Sequence, residues 1–216
     1  MRGLLLCTLL FSVVCSTQLC AQGVRFGFKM GANYSQISGY EYEVLNKMGE
    51  AAIEPFSSVD DGRFGLTAAF FADIDLSNKF SFQPEFVFSP QGNKFEGVRY
   101  DYLQIPLGFK IDFNNFYVIA GPQAGLKISF SDQSENFKSL DFSAFGSLGY
   151  YFNESIFIEA RFTKGFLEVF EDNSEVVLPY IEEGVGNGNQ SNTDNYLINN
   201  TGTNQYITLS LGYRLQ

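Results

Sequence analysis

The sequence predicts an all-β chain: an eight-stranded antiparallel up-and-down transmembrane β-barrel with short periplasmic turns and long extracellular loops. Three observations point there. Apolar and polar residues alternate with period two over most of the 216 residues, the connections alternate between short and long, and one of the two alternating rows is free of charge.

The strands follow in order. Val24, Phe26, Phe28, Met30, Ala32 and Tyr34 alternate with Arg25, Gly27, Lys29, Gly31, Asn33 and Ser35, as a strand with two unlike faces requires. The pattern returns from Phe64 to Ile74, Phe80 to Phe88, Leu103 to Ile111 and Phe116 to Phe130. It returns again from Leu140 to Tyr150, Ile156 to Phe162 and Ile207 to Leu215. No helix is evident. Connections at 76–79, 113–115 and 152–155 are tight and rich in Asn and Ser, whereas 36–61, 91–98, 131–139 and 169–203 are long. With eight strands, both ends of the barrel domain fall on the short-turn side. Pro84, Pro106 and Pro122 interrupt strands where a ladder donor is needed, and a bulge or strand end is expected at each.

Residues 1–22 read as a cleaved signal peptide and 23–216 as the barrel domain. Arg2 precedes an apolar run from Leu4 to Val14 that is about half the ~20 residues of a membrane-spanning helix. Cys7, Cys15 and Cys20 all lie in the leader, so the barrel domain carries no thiol and no disulfide.

Composition narrows the function. The chain has no histidine, which removes the usual neutral-pH acid–base and the commonest metal ligand, so no catalysis and no cofactor are expected. A net charge of -10 excludes a nucleic-acid footprint, which needs a basic patch. The acidity is localised. Loop 36–61 carries six carboxylates against Lys47, and loop 169–203 carries six with no base. These loops are candidate contacts for a protein or cation partner, against the plainer reading of a solvated, repulsive surface.

The uncharged row is expected to face lipid, because a mid-bilayer Lys or Arg there costs about 2–4 kcal/mol. The other row then lines the interior. Its structural charges Glu85, Lys110, Glu159, Arg161 and Arg214 are expected to form one neutralised network filling a bore only wide enough for its own side chains. Lesser motifs are weak. Asp73 and Asp75 share a strand face but lack the further ligands of a calcium loop, and Gly184, Gly186 and Gly188 form a flexible stretch rather than a phosphate loop.

Several segments resemble the outer-membrane β-barrel family widespread in Bacteroidota and labelled PorT-like. They are Phe26-Gly-Phe-Lys-Met-Gly-Ala-Asn33, Phe82-Gln-Pro-Glu-Phe-Val-Phe-Ser89, Tyr102-Leu-Gln-Ile-Pro-Leu-Gly-Phe-Lys110, Gly121-Pro-Gln-Ala-Gly125, Phe157-Ile-Glu-Ala-Arg-Phe162 and Leu209-Ser-Leu-Gly-Tyr-Arg-Leu215. The resemblance implies an outer-membrane barrel of the Gram-negative type, in contact with lipid. It does not choose among roles, and Tyr213-Arg-Leu-Gln216 departs from the terminal aromatic usual in such barrels. The expected function is structural or surface-interacting, through the acidic loops. The alternative is a soluble periplasmic barrel binding a small apolar ligand, which would turn the Phe-rich rows inward.

Overall fold

The computed structural model describes residues 23–45, 61–94, 96–128, 134–172, 174–178 and 195–215. The signal-peptide reading of 1–22 and the glycine stretch at 184–188 lie outside them. Among the described residues, nine strands form one antiparallel sheet: β1 Val24–Leu45, β2 Arg63–Asp75, β3 Phe80–Gly92, β4 Arg99–Phe113, β5 Phe116–Lys127, β6 Leu140–Tyr151, β7 Ile156–Glu168, β8 Val176–Leu178 and β9 Asn195–Arg214. Each wall strand pairs with the next, and β1 pairs with both β2 and β9, closing eight strands into a barrel. The short β8 lies outside that wall, on the upper part of β9.

The turns at the short end are set by local hydrogen bonds. Asn153 Oδ1 accepts from the amides of Ser155 at 2.9 Å and Ile156 at 2.8 Å, reversing the chain between β6 and β7. Ser77 Oγ accepts from the Phe80 amide between β2 and β3. Asn114 takes φ +56° between β4 and β5, a conformation Asn tolerates better than most residues.

Burial is inverted relative to a water-soluble barrel. Phe64 and Leu66 are 78% and 79% exposed, and Met30 is 65% exposed, while Lys29, Asp73, Glu85, Lys110 and Glu159 are buried. The apolar rows form a continuous outward belt that water would penalise and hydrocarbon does not. This placement overturns the soluble ligand-binding alternative, which needs those rows inside.

Three expectations are corrected. The first strand does not end near Ser35, and the last does not begin near Ile207: β1 and β9 stay paired from Ser35 and Tyr206 up to Leu45 and Tyr196. Loop 36–61 therefore begins with ten residues of strand, and loop 169–203 contains β8 and nine residues of β9. Above the bilayer the outward side need not be apolar, and it carries Glu41 and Glu43, so the ribbon lacks the lipid-facing row that marks the strands below. Register shifts between Ser38 and Glu43, with positive φ at Gly39 and Gly202, blur it further. The prolines produce no bulge either. Pairing of β3 with β4 keeps one register from Phe80–Ile111 to Gly92–Arg99, and β4 with β5 keeps one from Tyr102–Lys127 to Phe113–Phe116. The ladder skips bonds around Pro84 and Pro106 without shifting, because the flanking pairs hold the strands in place.

Candidate functional site

The lumen is stratified, and the strand register decides which side chains share a layer. At the periplasmic mouth, Arg25 pairs with Asp75 at 2.6 Å and Lys110 with Asp73 at 2.7 Å. The Arg214 guanidinium lies 3.8 Å from the same Asp73 carboxylate and donates to the Glu154 carbonyl at 2.7 Å. Arg25, Asp75 and Arg214 line an open cup of about 660 Å³ together with Asn78, Asn114, Asn115 and Asn153. Asp73 and Asp75 are thus held by protein cations, and among the described residues no group of three or more acids or thiols is arranged for a metal.

An aromatic layer follows. Phe71, Tyr117, Ile119, Phe145 and Phe157 pack together and are buried. Three rings lie flat against glycines of neighbouring strands. A Cβ on Gly27 would come within 2.3 Å of Phe71, one on Gly149 within 2.0 Å of Tyr117, and one on Gly212 within 2.1 Å of Phe157. Glycine is required at these positions because the ring occupies the space of a side chain.

The next layer is a four-membered charge cluster. Lys29 Nζ contacts Glu85 at 2.9 Å and Glu159 at 3.0 Å, and Arg161 contacts the same two carboxylates at 2.7 and 2.8 Å. Two cations and two anions cancel. Hydrogen bonds complete the cluster: Gln83 donates to Glu85, the Tyr117 hydroxyl donates to Glu159, and Arg161 Nε donates to Ser147. The guanidinium lies 4.3 Å from the Phe145 ring centre. A void of about 20 Å³, enough for one water, separates this cluster from the next layer. There Gln123 donates to the Tyr206 hydroxyl, which in turn donates to Gln104.

A second apolar cluster closes the extracellular end. Ile37, Val98, Tyr100, Tyr102, Phe137, Val169, Phe170, Val176 and Leu197 are buried together, with Tyr40 and Tyr42 against them. Loop segments are tied onto this cap by backbone bonds from Lys138 to Val169 and from Val169 to Gly202, each near 3.0 Å.

The five residues singled out in the sequence therefore divide between two layers. Glu85, Glu159 and Arg161 meet at the centre, while Lys110 and Arg214 meet around Asp73 at the mouth, with the aromatic layer between. The single network expected is corrected to two, because sequence rows fix the side of the sheet but not the height. Lys29 and Asp73, which hold the two clusters together, were not among the five. The aromatic layer was missed as well. Its one signal is an aromatic residue in the polar row whose neighbouring strand carries a glycine.

No curated protein matches the sequence. Among solved structures, the chain is similar to Ail, the attachment invasion locus protein of Yersinia pestis, at 11% identity and TM-score 0.40, covering 88% of this chain and 98% of that one. Neisserial surface protein A matches at 12% identity and TM-score 0.42, covering 89% and 98%. The outer membrane protein OprG of Pseudomonas aeruginosa matches at 13% identity and TM-score 0.38, covering 88% and 96%. Residues 18–171 match the family described as the outer membrane protein beta-barrel domain. With its outward apolar belt and closed eight-stranded wall, the chain belongs to that family and is an integral barrel of the outer membrane.

Proposed function

We propose that this barrel is a closed, non-catalytic surface protein, of the PorT-like kind found in Bacteroidota, whose acidic extracellular segments engage a basic protein or a cation. The observation that carries the reading is the contrast between the two charge populations. Inside, the central carboxylates are matched by Lys29 and Arg161 at under 3.1 Å. Outside, Glu41 and Glu43 on β1 and Glu171, Asp172 and Glu175 below β8 are exposed. Charges spent on neutralising a core are unavailable to a partner, and exposed ones of a single sign attract partners of the other.

The absence of histidine from the sequence and the pairing of the central carboxylates support a non-catalytic role. Binding of oligolysine to the barrel in zwitterionic liposomes tests the proposal. Binding is expected at low ionic strength, and it should weaken as salt shortens the screening length. It should fall severalfold when Glu41, Glu43, Glu171, Asp172 and Glu175 are changed to their amides. Undiminished binding in that variant, or none in the unaltered protein, would overturn the reading.

A further inference from the structure

Among the described residues, one buried carboxyl of the lumen is left out of the neutralisation. Asp141, at the extracellular end of β6, is 2% exposed, and neither carboxylate oxygen has a hydrogen-bond partner among the described residues. The other fully buried carboxylates, Asp73, Glu85 and Glu159, each have a Lys or Arg nitrogen within 3.0 Å. Among the described residues Asp141 has no such cation. The polar groups acting on it, the Ser143 hydroxyl and the Phe142 amide, are uncharged and supply no counter-charge.

The register places Gln104 of β4, Gly125 of β5 and Asp141 of β6 side by side. Gly125 has no side chain, and a Cβ there would sit 3.4 Å from Gln104 Cγ and 3.5 Å from Asp141 Cβ. Gln104 is itself fully buried, and its Nε2 donor is without a partner. An unmatched donor and two unmatched acceptors thus flank one gap. Tyr102 borders the same gap at 3.3 Å and belongs to the cap, where its hydroxyl donates to the Lys138 carbonyl at 2.6 Å.

The titratable groups facing Asp141 are Tyr100 and Tyr102 of β4 and Tyr206 of β9. On β5 the Lys127 ammonium donates instead to the Phe137 carbonyl. On β7, Arg161 is committed to Glu85 and Glu159, and the Glu168 carboxylate accepts from the Gly202 amide. A lone carboxylate in such surroundings is compatible with a closed cap only in its acid form, since an unpaired buried charge is too costly to keep.

We propose that Asp141 is a proton-binding site that latches the extracellular cap. With its proton in place, Asp141 lies uncharged beside Gln104 and the aromatic cap closes over it. When the proton leaves to extracellular water, the carboxylate must be hydrated through the Gly125 gap, and Tyr102 and Phe137 separate to admit that water. The bore below stays shut, because the central cluster and the lower aromatic layer do not take part.

The test is thiol labelling of the cap. Cys7, Cys15 and Cys20 are the chain's only cysteines, so with these removed with the leader or changed to serine, Val98→Cys places a single thiol in the cap. Maleimide labelling is compared between the D141 and Asp141→Asn barrels across pH 4–9 in the same micelles. The ratio cancels the thiol's own ionisation. It should rise severalfold with pH, and Glu135→Gln, which alters an exposed carboxylate two residues from Phe137 of the cap, should behave as the unaltered protein. A ratio independent of pH overturns the latch, as does an equal loss of response in Glu135→Gln. The carboxyl ¹³C resonance of Asp141, identified by selective labelling in the unaltered protein, gives a reading that needs no variant to fold. It should titrate in step with the labelling, and a resonance fixed at the ionised position throughout overturns the proposal.

Discussion

Glu85 shows how a single residue depends on its layer. Its Oε1 receives Lys29 at 2.9 Å, Arg161 at 2.7 Å and Gln83 at 2.9 Å, all from buried side chains. Replacing a whole buried pair by apolar residues is often neutral, but removing one member strands the other, at about 3–5 kcal/mol. Arg161→Leu, which leaves Glu85 and Glu159 sharing Lys29, is expected to lose stability on that scale in urea unfolding of the barrel in lipid. Glu43→Leu, on the exposed ribbon, should shift it by about 0–1 kcal/mol. Equal and small effects would mean that the centre is hydrated and its charges independently solvated. A second residue-scale test addresses ring-on-glycine packing. Gly149→Val should reduce folded yield because its Cβ meets the Tyr117 ring, and Tyr117→Ala in the same chain should restore part of the loss. A double variant no better than the sum of the two singles would remove that contact as the cause.

At the scale of the strand, legibility in the sequence follows the solvent. β2 to β7 lie between hydrocarbon on one side and polar packing on the other, so composition alternates and the strands can be read from it. The upper halves of β1 and β9 meet water or the cap instead. There Tyr40 and Tyr42 turn to the cap and Glu41 and Glu43 to water, with no apolar lipid-facing row, so the ribbon reads as loop. Heights are likewise invisible. Glu85 and Lys110 occupy the same row type in adjacent strands, yet strand offset sends one to the centre and the other to the mouth, on opposite sides of Phe71 and Tyr117. β8 is three residues long and is held by its pairing with Asn195, Tyr196 and Leu197, a long-range contact that local pattern cannot announce. The lipid-facing row offers its own test. Leu107 is central in the outward row of β4, and Phe113 ends it beside the periplasmic turn. Leu107→Arg is expected to cost about 2–4 kcal/mol and Phe113→Arg about 0–1 kcal/mol, because the penalty decays toward the interface. Unfolding in bilayers measures both. Equal costs would show that the hydrocarbon boundary does not follow this belt.

For the molecule as a whole, what matters is that its closures lie in series. A solute entering from the periplasm meets the Asp73 cluster, then three rings seated on glycines, then the Lys29–Arg161 square, and finally the aromatic cap. An eight-stranded wall leaves no second route beside them, since its bore is only as wide as the side chains that fill it. Opening one layer therefore leaves the others shut. Purified protein in planar bilayers should give no discrete current steps. Phe157→Ala, which thins the lower aromatic layer, should be equally silent, as should the Asp141→Asn barrel with its cap held closed. Parallel closures would behave otherwise, each single opening adding conductance of its own. Unitary currents from the unaltered barrel would refute the closed state. Currents appearing only in Phe157→Ala would show that the aromatic layer alone seals the bore, and that the central ion pairs are loose enough for ions to pass.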